Sequence, residues 1–200
     1  MARERRIEVP GGFYHVSSRG NRGCTVFEDD YERLAFLSIL SIAATRWRWT
    51  CHAFVLMSNH FHLLIRLELD GLSDGMQFLN ASFARLSNRR HGYVGQHLFR
   101  NRFWSELITN DVHLREAARY IVLNPVRAGL CSAPEDWRWS SYRPCAGLEF
   151  APRFLAANDH LRLFADNPSA ARRAYRSFVA DGVVCTVSDG VRHRDGSRTR

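Results

Sequence analysis

The sequence of 200 residues contains no lysine, so arginine supplies all of its basic side chains. Lysine and arginine together number 28 against 20 acidic residues, which gives a formal net charge of +8. Guanidinium groups bind phosphate in bidentate fashion and stack on bases, so this charge favours a polyanionic partner over an acidic protein surface. A genomic preference for arginine codons would produce the same composition without functional pressure.

Several other features are missing. No apolar run is long enough to span a bilayer, and the arginine-rich start is no signal peptide, which predicts a soluble cytoplasmic protein without membrane contact. The five cysteines form no C-x-x-C pair, and this argues against a disulfide framework and a structural zinc site. The sequence also lacks a P-loop, a G-x-G-x-x-G motif, a Ser-His-Asp arrangement and the carboxylate cluster of a two-metal nuclease.

The stretch 57–65 combines β-prone apolar residues with His60 and His62. Alternate side chains of a strand share a face, so the two imidazoles would project side by side while Phe61 points into a core. A buried pair of histidines is costly unless the ring nitrogens have partners, and a metal ion is one such partner. For an isolated His-x-His motif, two hydrogen-bonded structural histidines are the alternative.

A second informative stretch, 118–130, lies at the end of a predicted helix for which Asp111 is the expected N-cap. Pro125 is expected to discourage further helix. Tyr120 and Asn124 are four residues apart, so they share one helical face. Beside a histidine pair, a phenol and a carboxamide would supply a nucleophile and a third metal ligand.

The order of predicted elements is β-α-β-β-α-β, which is the ferredoxin-like arrangement of an α+β fold with a central antiparallel sheet. The third strand carries the histidine pair, and it would lie centrally beside the first strand. Two helices would pack on one face of the sheet. The tyrosine helix follows, then an irregular segment and a C-terminal helical region interrupted near Pro168.

Arginine and polar residues at three places are candidates for DNA contact. They lie in a glycine-rich loop, on the polar face of the second helix, and at the start of the fourth strand, and comprise Arg19, Asn21, Arg22, Arg85, Arg89, Arg100 and Arg102. Arginine also alternates with aromatic residues, a pattern that suits single-stranded nucleic acid. A solvated loop, a solvated helix face and core aromatics are the alternatives.

Five segments in this order resemble the REP-associated tyrosine transposases, which are single-tyrosine HUH transposases whose relatives act on hairpins of repeated extragenic palindromes or on insertion-sequence ends. The segments are 14–22, 57–64, 102–104, 120–129 and 139–142, and the resemblance covers about residues 10–145. It implies an HUH endonuclease domain over residues 1–145. A helical extension would follow over 146–187, and a disordered tail over 188–200.

The resemblance implies a metal-dependent enzyme that cuts single-stranded DNA through a 5′-phosphotyrosine intermediate and can rejoin strands. Tyr120 would be the nucleophile, and His60, His62 and Asn124 would bind Mg²⁺ or Mn²⁺, with Glu106 as an alternative third ligand. Arg127 is a further candidate for DNA contact. The partner would be single-stranded or hairpin DNA, bound by a monomer or a homodimer.

Three other functions remain open at the level of sequence. A non-catalytic single-strand-binding module could retain the same fold, but the complete set of site residues counts against it. A rolling-circle replication initiator shares the histidine pair and the tyrosine, although the 123–129 string favours the transposases. In a zinc-dependent hydrolase, Tyr120 would be structural.

Overall fold

The computed structural model describes residues 8–192, and it describes side chains over residues 8–183. The strands are β1 (Phe13–Arg19), β2 (Trp49–Leu56), β3 (His60–Leu67) and β4 (Trp104–Ile108). The helices are α1 (Asp30–Arg46), α2 (Leu72–His91), α3 (Asp111–Arg127), α4 (Tyr142–Ala146), α5 (Ala157–Leu161) and α6 (Pro168–Arg192). No helix in the described part of the chain is long and apolar enough to cross a membrane.

The four strands form one antiparallel sheet in the order β2-β3-β1-β4. This confirms the predicted ferredoxin-like order, in which the first and third strands are central. The turn between β2 and β3 is the predicted tight hairpin, closed by a 2.9 Å hydrogen bond that the Met57 N–H donates to the His60 carbonyl. The histidine strand is therefore paired on both sides.

Strand alternation assigns the two faces of β3 to two different cores. Phe61, Leu63 and Ile65 belong to the larger core, which includes the buried faces of α1 and α2. Leu64 belongs to a smaller core with Val55, Ile108 and the apolar face of α3. The prediction of two helices on one face is confirmed, and α3 covers the opposite face, toward which His60 and His62 project.

Two expectations for α3 were wrong by a few residues. The N-cap is Asn110 rather than Asp111, because the Asn110 side chain accepts the His113 N–H at 2.9 Å. Pro125 does not end the helix, which continues to Arg127. Its missing N–H affects only the last turn, and a Schellman ending with Gly129 at φ 70° satisfies the final carbonyls.

The start of α2 is stabilised from outside the helix. Its N-cap residue, Gly71, provides no side-chain cap. The carboxylate of Glu8 instead accepts the backbone N–H groups of Gly71, Leu72 and Ser73 at 2.6, 2.8 and 2.8 Å. Glu8 is therefore anchored to α2, while residues 1–7 lie outside the described part.

The C-terminal segments cover the free edge of β2 and the outer side of α3. Backbone hydrogen bonds join Leu56 to Trp139 and Ser141 to Phe54 along that edge. Helix α6 packs behind α3, where the Arg119 guanidinium lies 4.4 Å from the Phe178 ring. Because α6 extends to Arg192, residues 188–192 of the predicted disordered tail are helical, and residues 193–200 lie outside the described part.

Candidate active site

Packing of α3 on the sheet brings the predicted nucleophile and the predicted amide ligand to the histidine pair. The Tyr120 ring lies 5.7 Å from the His62 ring, centroid to centroid, and Nε2 of His60 lies 3.3 Å from Oδ1 of Asn124. The His60 and His62 ring centroids are 5.1 Å apart. Residues separated by about sixty positions in the sequence thus form one cluster, because α3 packs against β3 near the start of that strand.

The contacts of His60 leave one ring nitrogen facing another acceptor. Its Nδ1 lies 2.7 Å from Oδ1 of Asn59, and its Nε2 faces Oδ1 of Asn124. A neutral imidazole has one N–H, so it can donate to only one of these oxygens. With that hydrogen on Nδ1, at the shorter contact, Nε2 and Oδ1 of Asn124 are two acceptors facing each other. A cation between them resolves this arrangement, as does rotation of the Asn124 amide or the Asn59 amide by a half-turn.

A third histidine completes the cluster. His15 of β1 is buried, and its Nε2 lies 2.9 Å from Nδ1 of His62. One of the two nitrogens donates and the other accepts. The Tyr120 ring also lies 5.8 Å from the His15 ring, so the phenol spans both imidazoles.

The electrostatic environment keeps all three imidazoles neutral at pH 7. Burial, reinforced by His15 and His60, lowers the pKa of His62 to about 3. Burial and the charge of His113 lower the pKa of His15 to about 4. The pKa of His60 is also lowered, chiefly by burial and partly by Arg19 against an opposing contribution from Asn124. Neutral imidazole is the form that ligates metals.

A cavity of about 370 Å³ opens beside Tyr120 and is lined by His15, Glu106, His113 and Arg127 among others. Glu106 pairs with His15 across the sheet, and its Oε1 lies 3.9 Å from Nε2 of His113. Among the side chains described, no group of three or more His, Cys, Asp or Glu could hold a metal ion. Of the two candidate third ligands, the Asn124 amide is the one that contacts a histidine of the pair.

Two of the predicted DNA-contacting arginines lie at this site. The Arg127 guanidinium is 5.1 Å from the centre of the Tyr120 ring. Arg19 pairs with His60 in the sheet and ends β1 beside it. Arg100 joins them through its backbone, whose N–H donates to the Arg19 carbonyl at 2.9 Å.

The remaining predicted DNA contacts lie in three other places. Arg85 and Arg89 line a cavity of about 750 Å³ on α2, the helix on the opposite face of the sheet from α3. Arg102 lines a separate groove of about 540 Å³ between α2 and the segment before β4. Asn21 and Arg22 lie in the 3-10 turn after β1, which is fixed by the Asn21 N–H donating to the Leu98 carbonyl at 2.8 Å.

Sequence reasoning did not assign His15, His113 or Trp104 to the site. His15 and Trp104 occupy the same face of the sheet as His62, and His113 lies about two α-helical turns before Tyr120 on α3. The signal for His15 was the alternation of Phe13, His15 and Ser17 along β1. That alternation shows which side chains share a face of β1, but not which residues of other strands and helices they contact.

Comparisons with known proteins agree with this geometry. A family model described as "Transposase IS200 like" matches residues 9–124, more than half of the 200 residues. The REP-associated tyrosine transposase of Escherichia coli strain K12 is 26% identical over 146 residues, 71% of this chain and 83% of that protein. A Haemophilus influenzae strain Rd protein classed with the same transposases is 24% identical over 183 residues, 83% of this chain and 99% of that protein.

A solved structure of a REP-associated tyrosine transposase, bound to a REP hairpin, shares the fold with a TM-score of 0.63. It is 21% identical, and the match covers 76% of this chain and 89% of the other. The family model, the two relatives and the fold agree with one another. The chain belongs to the IS200-like transposase family, and its relatives there are REP-associated tyrosine transposases.

Proposed function

We propose that this transposase is a metal-dependent endonuclease and strand transferase for single-stranded DNA, with Tyr120 as the nucleophile. One observation carries the proposal. Helix α3 presents Tyr120 and Asn124 together above His60 and His62, with the phenol ring 5.7 Å from the His62 ring and the amide oxygen 3.3 Å from the His60 nitrogen. A tyrosine with only a packing role would not need to lie beside a histidine pair and a carboxamide.

His60, His62 and Asn124 would hold a divalent cation, Mg²⁺ or Mn²⁺. The two facing acceptors at His60 and Asn124 fit such an ion, as do the neutral imidazoles. When bound, the ion supplies Lewis-acid polarisation of a phosphate oxygen. Two nitrogens and one amide oxygen leave positions open for that oxygen.

Tyr120 forms the new bond. Its phenolic oxygen attacks the scissile phosphorus, and the bond from phosphorus to the 3′ oxygen breaks. The departing oxygen keeps the electron pair and takes up a proton, giving a free 3′-OH and a 5′-phosphotyrosine. Tyr120 is 40% exposed, so water can accept the phenolic proton. Because the phosphodiester is conserved as a phosphotyrosine, another 3′-OH can reverse the step and join strands.

Arg127 and Arg19 flank the path of the DNA. Arg127 lies over the Tyr120 ring, and Arg19 lies beside His60 at the end of β1. Both side chains are exposed and can meet phosphates on either side of the reacting one. Single strands, or hairpins with unpaired flanks, are the substrates that such an open site admits. The relative solved with a REP hairpin supports the same choice.

The experiment uses labelled single-stranded DNA from the flanks of the protein's own gene, incubated with the protein and Mg²⁺ or Mn²⁺. We expect a protein–DNA adduct that survives denaturation and maps by mass spectrometry to Tyr120. Tyr120→Phe removes one oxygen and keeps the ring, so it should fold, bind metal and bind DNA without forming an adduct. Tyr142→Phe, at a tyrosine outside the cavity, is the matched control and should cut normally.

Two results would contradict the proposal. Cleavage by Tyr120→Phe at the normal rate would make Tyr120 structural, as in a hydrolase. DNA binding without any adduct from the unaltered protein, under all metal conditions, would favour a non-catalytic single-strand-binding module.

A further inference from the structure

Trp104 is an exposed aromatic residue at the start of the edge strand β4. The residue begins β4, and 49% of its surface is accessible, whereas its neighbour Phe103 is buried in the larger core. Exposed indoles leave a large apolar area in water, and such areas commonly mark binding sites. The position of Trp104 in the sheet decides what could bind there.

Trp104 lies on the active-site face. It pairs with Ser17 of β1, which in turn pairs with His62 of β3, so the three residues form one row across the sheet. Side chains paired in this way project from the same face. The indole is therefore two strands, about 10 Å, from the predicted metal ligand.

His15 connects the indole to the nucleophile. Its ring is 5.2 Å from the Trp104 ring in an edge-on arrangement and 5.8 Å from the Tyr120 ring. The buried imidazole of His15 thus lies between two exposed aromatic side chains, Trp104 and Tyr120. A phosphate at Tyr120 would place the neighbouring nucleotide within reach of the indole, since the His15 ring lies close to both aromatic rings.

We propose that Trp104 is a stacking platform for one unpaired nucleobase next to the scissile phosphate. This inference rests on the proposed function for the location of that phosphate. The exposed face of the indole suits any base, because every base has a π-face, and the flanking arginines supply the phosphate contacts. Base-paired DNA would not present an unstacked base, so the platform also selects for single strands.

The test compares two substitutions in a Tyr120→Phe background, which cannot cut. Trp104→Phe keeps an aromatic face, and Trp104→Leu keeps apolar packing against His15 without one. Binding of a fluorescein-labelled oligothymidine is measured by anisotropy. We expect Trp104→Leu to weaken binding roughly 5-fold to 100-fold, and Trp104→Phe to weaken it by less than about threefold. Circular dichroism confirms that each variant is folded.

Two controls separate stacking from other effects. Phe150→Leu changes an aromatic side chain that is fully exposed outside the cavity, and it should leave binding unchanged. An oligomer of abasic residues should bind equally to the Trp104→Leu variant and to its parent, because it has phosphates but no bases. If Trp104→Leu lost the same factor of affinity for the abasic oligomer as for oligothymidine, the stacking platform would be overturned. Unchanged affinity of Trp104→Leu for oligothymidine would overturn it too.

The inference and the proposed function can fail separately. If the unaltered protein forms the Tyr120 adduct but Trp104→Leu binds like its parent, the function stands and the platform fails. If no adduct forms but the two Trp104 variants differ as expected, the platform stands as part of a binding site and the nuclease activity fails.

Discussion

Nε2 of His15 and Nδ1 of His62 lie 2.9 Å apart, so the nitrogen of His62 nearer its Cβ is occupied by the protein. His60 has the same arrangement, because its Nδ1 contacts Oδ1 of Asn59 at 2.7 Å. Both histidines of the motif therefore contact the protein through Nδ1, and Nε2 of His60 faces the Asn124 amide. Partners of this kind fix the orientation of metal-binding imidazoles in proteins.

The first prediction concerns His15 as a positioning residue. His15→Phe removes the hydrogen bond to His62 while keeping a ring, so His62 loses its fixed orientation. We expect Mn²⁺ affinity, measured by isothermal titration calorimetry, to fall roughly 10-fold to 100-fold. Saturating Mn²⁺ should recover much of the cutting rate.

The comparison for His15 is with two other variants. His15→Gln keeps a hydrogen-bonding group and should lose less affinity than His15→Phe. His113 lines the same cavity, but among the described residues it has no hydrogen bond to His62. The His113→Gln variant should therefore bind Mn²⁺ normally. Equal Mn²⁺ affinity in His15→Phe and the unaltered protein would show that His15 is only a packing residue.

The second prediction concerns Asn124. Asn124→Asp places a carboxylate where the amide oxygen faces His60, and carboxylates suit Mg²⁺ and Mn²⁺ better than neutral amides. We expect tighter Mn²⁺ binding in Asn124→Asp and a loss of about tenfold or more in Asn124→Leu. Titration calorimetry of the free protein measures both. An unchanged affinity in the leucine variant would remove Asn124 from the metal site.

The third prediction concerns the external cap of α2. Burial raises the pKa of Glu8, but hydrogen bonds from Ser73 and the three backbone N–H groups outweigh burial, so the pKa is lowered from 4.5. A lowered pKa in the folded state means that the charged form stabilises the fold above the unfolded-state pKa. That stabilisation disappears as pH falls through the lowered value. We expect Glu8→Ala to lose about 1–2 kcal/mol at pH 7.

Urea unfolding at pH 7 and at about pH 2–3 checks the prediction for Glu8. The difference between Glu8→Ala and the unaltered protein should shrink at the lower pH. Glu68→Ala, which removes an exposed ion pair with Arg48, is the matched control and should cost much less. A cost for Glu8→Ala that does not depend on pH would contradict the charge-dependent cap.

The fourth prediction concerns two buried histidines outside the site. Neither ring nitrogen of His52 or His160 has a hydrogen-bond partner among the described residues. Burial lowers the pKa of His160 to about 3, with a further contribution from His52. Burial lowers the pKa of His52 to about 4, with Asp159 opposing and Arg66 assisting. Both histidines are therefore neutral in the fold.

The unfolded chain binds more protons than the fold below pH 6.5, the ordinary pKa of these groups. Stability should therefore decrease as pH falls from about 6.5 toward 4. His160→Leu removes one such group and its unpartnered nitrogens, so it should be more stable by about 1 kcal/mol at pH 7 and less sensitive to acid. His97→Leu, at an exposed histidine, is the control. If the stability of His160→Leu fell with pH as steeply as that of the unaltered protein, this account would be contradicted.

The sequence was sufficient for the central features because they depend on local periodicity. Alternation along 60–67 predicted which side chains of β3 face α3, and helical spacing predicted that Tyr120 and Asn124 share a face. The two-residue turn predicted that β2 and β3 pair as an antiparallel hairpin. Each of these inferences needs only a few neighbouring residues.

The remaining features depend on contacts between distant segments. His15 meets His62 across a sequence separation of 47 residues, and this contact exists only when β1 and β3 pair in one register. Glu8 caps a helix that begins more than sixty residues later. Helical spacing placed Arg85 and Arg89 on a polar face, but only packing determines that α2 lies on the other side of the sheet from Tyr120.

The connection between β4 and α3 consists of Thr109 and Asn110 alone, since β4 ends at Ile108 and α3 begins at Asp111. So short a link returns α3 to the sheet of its own chain, and Tyr120 meets the histidines of the same polypeptide. In the proposed function, each chain therefore supplies its own nucleophile and its own metal ligands. Cutting of one strand should be first order in protein concentration, and joining two cut ends requires either two chains or two successive turnovers by one.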